Sequence, residues 1–251
     1  MSSPHPATAS SDELEGANLQ LASASAEQIL RWAASRYGGR LALSSSFGAH
    51  SAVMLHLLSQ HAPGVPVILI DTGYLFEETY RFARDLTESL ALDVRVYAPR
   101  ISAAHQEALH GRRWEQGEQG VAEYLRVNKI EPMQRALREL GAEAWLAGLR
   151  AAQSSHRATL PIVGRQDGLA KIHPILRWSD ADVDRYLRDH DLPLHPLCAR
   201  GYRSIGDRHS TFPTLPHQDA RDGRLLGQKR ECGLHLELDE AQGRSLTGSR
   251  L

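Results

Sequence analysis

The chain has 251 residues, 41% of them apolar and 24% charged, with a formal net charge of −1, which suits one large or two small globular domains with a sizeable core. No stretch approaches the roughly 18 apolar residues of a membrane helix, and no basic-then-apolar leader opens the chain, so a cytoplasmic enzyme is expected. Near-neutral charge argues against bulk attraction to nucleic acid or membrane, and two cysteines, Cys198 and Cys232, exclude a disulfide scaffold or a four-thiolate cluster within one chain.

Residues 1–20 are rich in Ser, Ala and Pro without an apolar period and read as a disordered arm. Ser25 with Gln28 predicts a capping box opening a helix that turns Ile29, Leu30, Ala33 and Tyr37 inward, stopped by Gly38-Gly39. Strand-like and helix-like segments then alternate: strand Leu41–Ser45, helix Ala49–Gln60, strand Val65–Ile70, helix Glu77–Leu92, strand Val94–Ala98. Helix Glu131–Leu140, strands Trp145–Gly148 and Leu169–Ile175, and helix Ser179–His190 with Ser179 as N-cap follow. The alternation predicts an α/β fold, a doubly wound, mostly parallel sheet over 21–191 with ligands at the carboxyl ends of its strands. From 192 to 251 the pattern gives way to Pro, Gly, His and Arg, a segment too long for an idle loop.

Charge is unevenly placed. Residues 1–146 carry 13 basic and 17 acidic side chains, whereas 147–235 carry 14 and 10, so the second half is suited to holding an anion. Of the 29 basic residues only Lys129, Lys171 and Lys229 are lysine.

Four segments carry candidate chemistry. Ser44-Ser45-Ser46-Phe47-Gly48, between a strand and a helix, offers hydroxyls and backbone N–H groups to an anion, or is an ordinary Ser-rich cap. Asp71-Thr72-Gly73 follows a buried strand, where a carboxylate meets a ribose hydroxyl, an amine or a metal, or simply caps a turn. Gly148-Leu149-Arg150 with Gln153, Ser154 and Arg157 makes a polydentate oxyanion clamp suited to phosphate or sulfate, or a solvated helix face. Lys229-Arg230-Glu231-Cys232-Gly233-Leu234-His235 places a cysteine beside two cations and a nearby His, which biases it toward thiolate, in a peptide too polar for a core. A zinc site from Cys232 and His235 would need His209 and His217, which no spacing favours.

Taken together and in this order, these segments resemble the thioredoxin-dependent phosphoadenylyl-sulfate (PAPS) reductases of assimilatory sulfate reduction. The resemblance runs from about Leu41 to His235 and adds Asp71–Phe76 with Glu78-Thr79, Asn128–Pro132, and Ser204–Asp207 with His209 and Thr211. It implies an adenine-nucleotide α-hydrolase-like fold, a homodimer, and Cys232 as the nucleophile that forms an S-sulfocysteine resolved by thioredoxin or glutaredoxin. The implied substrate site comprises Ser44, Ser45, Ser46, Gly48, Asp71, Thr72, Gly73, Lys129, Gly148, Arg150, Gln153, Ser154, Arg157, Lys229, Arg230 and His235, with Lys129 and the Arg150/Arg157 loop expected at the 3′-phosphate. The related adenylyl-sulfate (APS) reductases typically carry a four-iron cluster on cysteine pairs; Tyr124–Arg126 and Asp207–Ser210 occupy the matching regions without cysteine, so the resemblance implies no cluster and PAPS as substrate. Departures are His50 where the family usually has Gln, Cys198 in place of an aromatic residue, a poor match over Phe212–Arg224, and sixteen residues after His235. The alternatives are a clusterless APS reductase, an ATP pyrophosphatase-type adenylylating enzyme, against which Phe47 without an adjacent Asp argues, and a non-enzymatic nucleotide- or metal-binding protein.

Overall fold

A computed structural model of the chain describes residues 10–215 and residue 223. Among them, six strands form one sheet in the order β3-β2-β1-β4-β6-β5. They are β1 (Leu41–Ser44), β2 (Val67–Ile70), β3 (Val94–Tyr97), β4 (Ala144–Ala147), β5 (Val163–Gln166) and β6 (Leu169–Ile172). Only β5 runs antiparallel, against β6. The helices are α1 (Ser11–Gln20), α2 (Ala26–Tyr37), α3 (Ser51–His61), α4 (Glu77–Ser89), α5 (Ala103–His110), α6 (Gly117–Leu125), α7 (Glu131–Glu139), α8 (Ser155–Ala158) and α9 (Asp180–Asp189).

The central strands β1, β2 and β4 are buried on both faces because they are apolar on both, as interior parallel strands are. Leu41, Leu43, Val67, Leu69, Ala144 and Leu146 face Leu30 of α2, Leu55 and Leu58 of α3, Leu86 of α4 and Val183 of α9. The alternate residues Ala42, Ile68 and Trp145 face Met133, Ala136 and Leu137 of α7. Lys171, the lysine outside the candidate segments, lies 4.0 Å over the Trp145 ring and donates to Gln166, so its buried charge is held by a ring face and an amide.

Beyond α5 and α8, which the sequence reading did not include, three features depart from it. Residues 11–20 form a helix, opened by a Ser10/Glu13 capping box. It was illegible because it turns only Leu14 and Ala17 onto the core and its remaining ties to the body are polar. The Asn18 amide donates to the Val163 carbonyl at 2.7 Å and accepts from the Val163 N–H at 3.0 Å, standing in for a neighbouring strand at the open edge of β5. Strand β5 itself carried a local signal: Asp167-Gly168, both at positive φ (49° and 78°), is the two-residue turn that joins twisted hairpin strands. Third, α6 and α7 are one helical run joined by a π turn at Arg126–Ile130. Pro132 lacks the N–H that would bond back four residues to Asn128, which loosens the ladder there.

Candidate active site

Strand β1 pairs with β2 on one side and β4 on the other, so the winding reverses between β1 and β4. Loops leaving the carboxyl ends of two such strands diverge and open a crevice. A cavity of about 250 Å³ lies there. It gathers Ser44 at the end of β1 and Ser45, Ser46 and Gly48 after it, Thr72 after β2, Lys129 from the π turn, and Gly148, Arg150, Gln153 and Arg157 after β4. Ile68, Ile70, Met54 and Met133 supply an apolar wall.

The serine loop turns on Phe47, which is buried and holds φ +48°. The left-handed conformation costs a side-chain-bearing residue about 1–2 kcal/mol, and the buried ring keeps it. Gly48 takes no positive φ, and a Cβ there would stand 3.4 Å from Ser46 Oγ and 3.5 Å from the Ile205 carbonyl. The Trp145 indole donates to Ser44 Oγ at 2.7 Å, and Ser45 Oγ accepts from the Phe47 N–H at 3.1 Å.

Arg150 and Arg157 are both buried. Gln153 Oε1 accepts from the Arg150 N–H at 3.1 Å and from the Arg157 guanidinium, so one amide knits the two arginines into a single cradle. Arg150 Nη1 lies 2.7 Å from Asp180 Oδ1 at the start of α9. Ser154 does not line the cavity; its hydroxyl caps α8 by accepting from the Arg157 N–H at 3.3 Å.

Two more expected residues are placed differently. Asp71 does not line the cavity; its carboxylate accepts from the Gly73 N–H at 2.8 Å and from the Tyr80 phenol at 2.6 Å. Burial and this carboxylate hold the Tyr80 phenol above its usual range. Gly73 closes that turn at φ +77°, with Ala103 Cβ 3.0 Å from where its own Cβ would be. The capping reading of Asp71 therefore describes its contacts, while Thr72 reaches the cavity.

Lys129 points its ammonium into the cavity wall, where Asp207 Oδ2 stands 2.6 Å away. Thr72 Oγ1 donates to Asp207 Oδ1 at 2.6 Å. Burial pushes the Asp207 carboxyl up, but Lys129 and the Thr72 hydroxyl outweigh it and hold the group ionised, well below the usual carboxylate range. Asp207 belongs to a strap, residues 203–211, that crosses the site: Asp207 bridges to Leu75, and the Arg208 N–H donates to the Tyr74 carbonyl at 2.8 Å. Arg203, Ser204, Ile205 and Gly206 of this strap line the cavity. Arg203 was not singled out from sequence; its one signal was membership of the basic half. His209 stacks on Trp114 at 3.9 Å between centroids, with Tyr74 and Tyr124 edge-on, which sets this imidazole in an aromatic box. Lys229, Arg230, Cys232 and His235, and His217 of the zinc alternative, lie outside the described residues.

Three buried imidazoles make an acid-stability prediction. Desolvation holds His173, His195 and His209 each down to about 4. They are neutral in the fold but charge near 6.5 once unfolded, so below pH 6.5 the unfolded chain binds more protons. Stability is therefore expected to fall as pH drops from about 6.5 to about 4. Urea midpoints across that window measure it; a flat or rising stability on acidification contradicts it.

This sheet and cavity define a class: doubly wound α/β proteins with a cavity at the sheet's switch point, lined here by a strand–helix loop and an arginine cradle suited to an anion. A family model for the phosphoadenosine phosphosulfate reductase domain matches residues 40–213. The chain belongs to this family. It is 52% identical over 223 residues to the phosphoadenosine 5′-phosphosulfate reductase of Alkalilimnicola ehrlichii, covering 89% of this chain and 91% of that one. With that of Xylella fastidiosa it is 53% identical over 230 residues, covering 92% and 97%. Among solved structures, the PAPS reductase from Candida auris, a phosphate complex, superposes with a TM-score of 0.72 at 32% identity, covering 81% of this chain and 98% of that one. The FMN adenylyltransferase of Candida glabrata, at 16% identity and a TM-score of 0.56 over 84% of this chain and 71% of that one, shares the fold. The expected doubly wound, adenine-nucleotide α-hydrolase-like sheet is the architecture found.

Proposed function

We propose that this chain reduces PAPS to sulfite and adenosine 3′,5′-bisphosphate in sulfate assimilation. The observation that carries the reading is the convergence, at one switch-point cavity, of the Ser44–Gly48 loop, Lys129 and the Arg150/Arg157 cradle, in a chain about half identical to proteins named for that reaction. The apolar wall suits adenine, the loop N–H groups and hydroxyls suit the 5′-phosphosulfate, and the arginines suit the remaining phosphate.

Chemistry then falls to Cys232. Its thiolate attacks the terminal sulfur, an S–S bond forms, and the S–O bond to the 5′-phosphate breaks with its electron pair leaving on the nucleotide. A thiolate approaching a polyanion is repelled, and the cations of the cavity, with Lys229 and Arg230 beside the cysteine, screen that repulsion. Thioredoxin or glutaredoxin supplies the two electrons. One of its thiolates attacks Cys232 Sγ and expels sulfite, and its second thiol resolves the mixed disulfide, returning the Cys232 thiol and leaving the donor oxidised. No metal or cluster takes part in this scheme, and a cytoplasmic homodimer is its setting. Among the described residues no helix is long and apolar enough to cross a membrane.

The test is intact-mass analysis after incubation with PAPS and no reductant. One sulfonate is expected on Cys232, removed by reduced thioredoxin with stoichiometric release of sulfite. Buried charge-assisted contacts to the 3′-phosphate are expected to favour PAPS over APS by about 100-fold or more in kcat/KM. Sulfite release without the adduct overturns the covalent route, and equal turnover of APS overturns the substrate assignment.

A further inference from the structure

His50 stands two residues beyond Gly48 and immediately before α3. Its half-buried ring lines the substrate cavity and also a second cavity of about 500 Å³ that opens beside it toward Cys198 and Leu194. The ring caps no backbone N–H of α3 and makes no hydrogen bond to any described residue. A polar ring at the mouth of an anion site, with its hydrogen-bonding capacity unspent, is placed to meet a ligand.

Resting on the function proposed above, we propose that His50 is a proton-linked binding residue: it meets an anionic oxygen of the bound nucleotide and takes up one proton as the anion enters. The oxygen belongs to the 5′-phosphate end, because the Ser44–Gly48 loop that receives that end runs directly into His50.

The charged groups facing the ring come from three elements. Arg150 comes from the loop after β4, Asp180 and Asp184 from the beginning of α9, and Arg203 from the strap. Burial and the two arginines outweigh the two aspartates, so the imidazole is held below its usual range and is mostly neutral at pH 7. An entering phosphate reverses that balance. An opposite charge within about 4–6 Å shifts a titratable group toward its charged form by on the order of one to three pKa units. The same anion engages the arginine cradle, which lessens the repulsion between Arg150 and the imidazolium. Binding free energy and proton uptake are then linked, and the affinity of the site rises as the medium becomes more acidic.

The experiment is an NMR titration of the His50 ring C–H in the full-length protein, with and without saturating adenosine 3′,5′-bisphosphate, the resonance being assigned by its loss in His50→Gln. The midpoint is expected to rise by about one unit or more on binding, and the ratio of wild-type to His50→Gln affinity to grow about tenfold per unit of that shift as the pH is lowered. Phosphate titration of the ligand is common to both proteins and cancels in the ratio. If the bisphosphate saturates the site while the midpoint moves by less than about 0.3 unit, the proton link is overturned and the substrate reading stands. If the bisphosphate binds at no pH, the substrate reading itself fails and this inference falls with it.

Discussion

A Cys232→Ser chain is expected to release no measurable sulfite from PAPS, a loss of at least about 10⁴-fold, since removing a nucleophile leaves only what binding contributes. The reason is chemical. A thiol just after Lys229 and Arg230 in the chain supplies a usable thiolate fraction near neutral pH, whereas a serine hydroxyl in the same peptide supplies almost no alkoxide. A serine adduct would in any case hold the sulfonate through oxygen, and in place of Sγ a thioredoxin thiolate would meet an oxygen, with which no mixed disulfide can form. Binding of adenosine 3′,5′-bisphosphate is expected to survive the change, because the cavity residues come from elsewhere in the chain. Coupled sulfite assays measure the first outcome and calorimetry the second. Sulfite production by the serine chain within about tenfold of the parent would remove Cys232 from the mechanism.

Asp207→Asn is expected to destabilise the fold by about 3–5 kcal/mol, because it leaves the Lys129 ammonium buried without its counter-charge. Asp207 is 1% exposed and bonds both Lys129 and Thr72, so one substitution unbalances the π turn, the loop after β2 and the strap together. The pair's contribution is present above the usual carboxylate pKa of 3.8 and is lost as pH falls through the depressed value of the folded state. Replacing both partners, Lys129→Met with Asp207→Leu, is expected to restore most of the stability, since a buried ion pair and a packed apolar pair are nearly interchangeable in free energy. The double variant should nevertheless turn over PAPS poorly, for it lacks the cavity's lysine. Urea unfolding and steady-state kinetics on the two proteins separate these effects. A single variant as stable as the parent would show that the ion pair does not support the fold.

Strand–helix alternation was legible because each element repeats its own period, and the period alone tells which residues point inward. The serine loop and the Arg150/Arg157 cradle were legible for the same reason: each lies within a few residues of a recognisable strand end. Helix α1 was not, since only Leu14 and Ala17 pack against the core and the Asn18–Val163 contact spans 145 residues. The π turn was missed because Pro132 reads locally as a helix start, whereas α6 continues through it. Asp71 and Ser154 illustrate a different limit. Both stand in the expected segments, yet each hydrogen-bonds its own neighbouring backbone, an option open to every short polar side chain.

Sequence by itself thus determined the layered parallel sheet, the strand ends at which a ligand sits, and the concentration of positive charge in the second half. Those follow from periodicity and composition, which are local or additive properties. Tertiary structure alone decided that Lys129 meets Asp207, that Thr72 rather than Asp71 reaches the cavity, and that His50 stands between two cavities among Arg150, Asp180, Asp184 and Arg203. The electrostatic state of a side chain depends on which charges fold to within a few ångströms of it and how much water they displace, and neither is encoded in spacing along the chain.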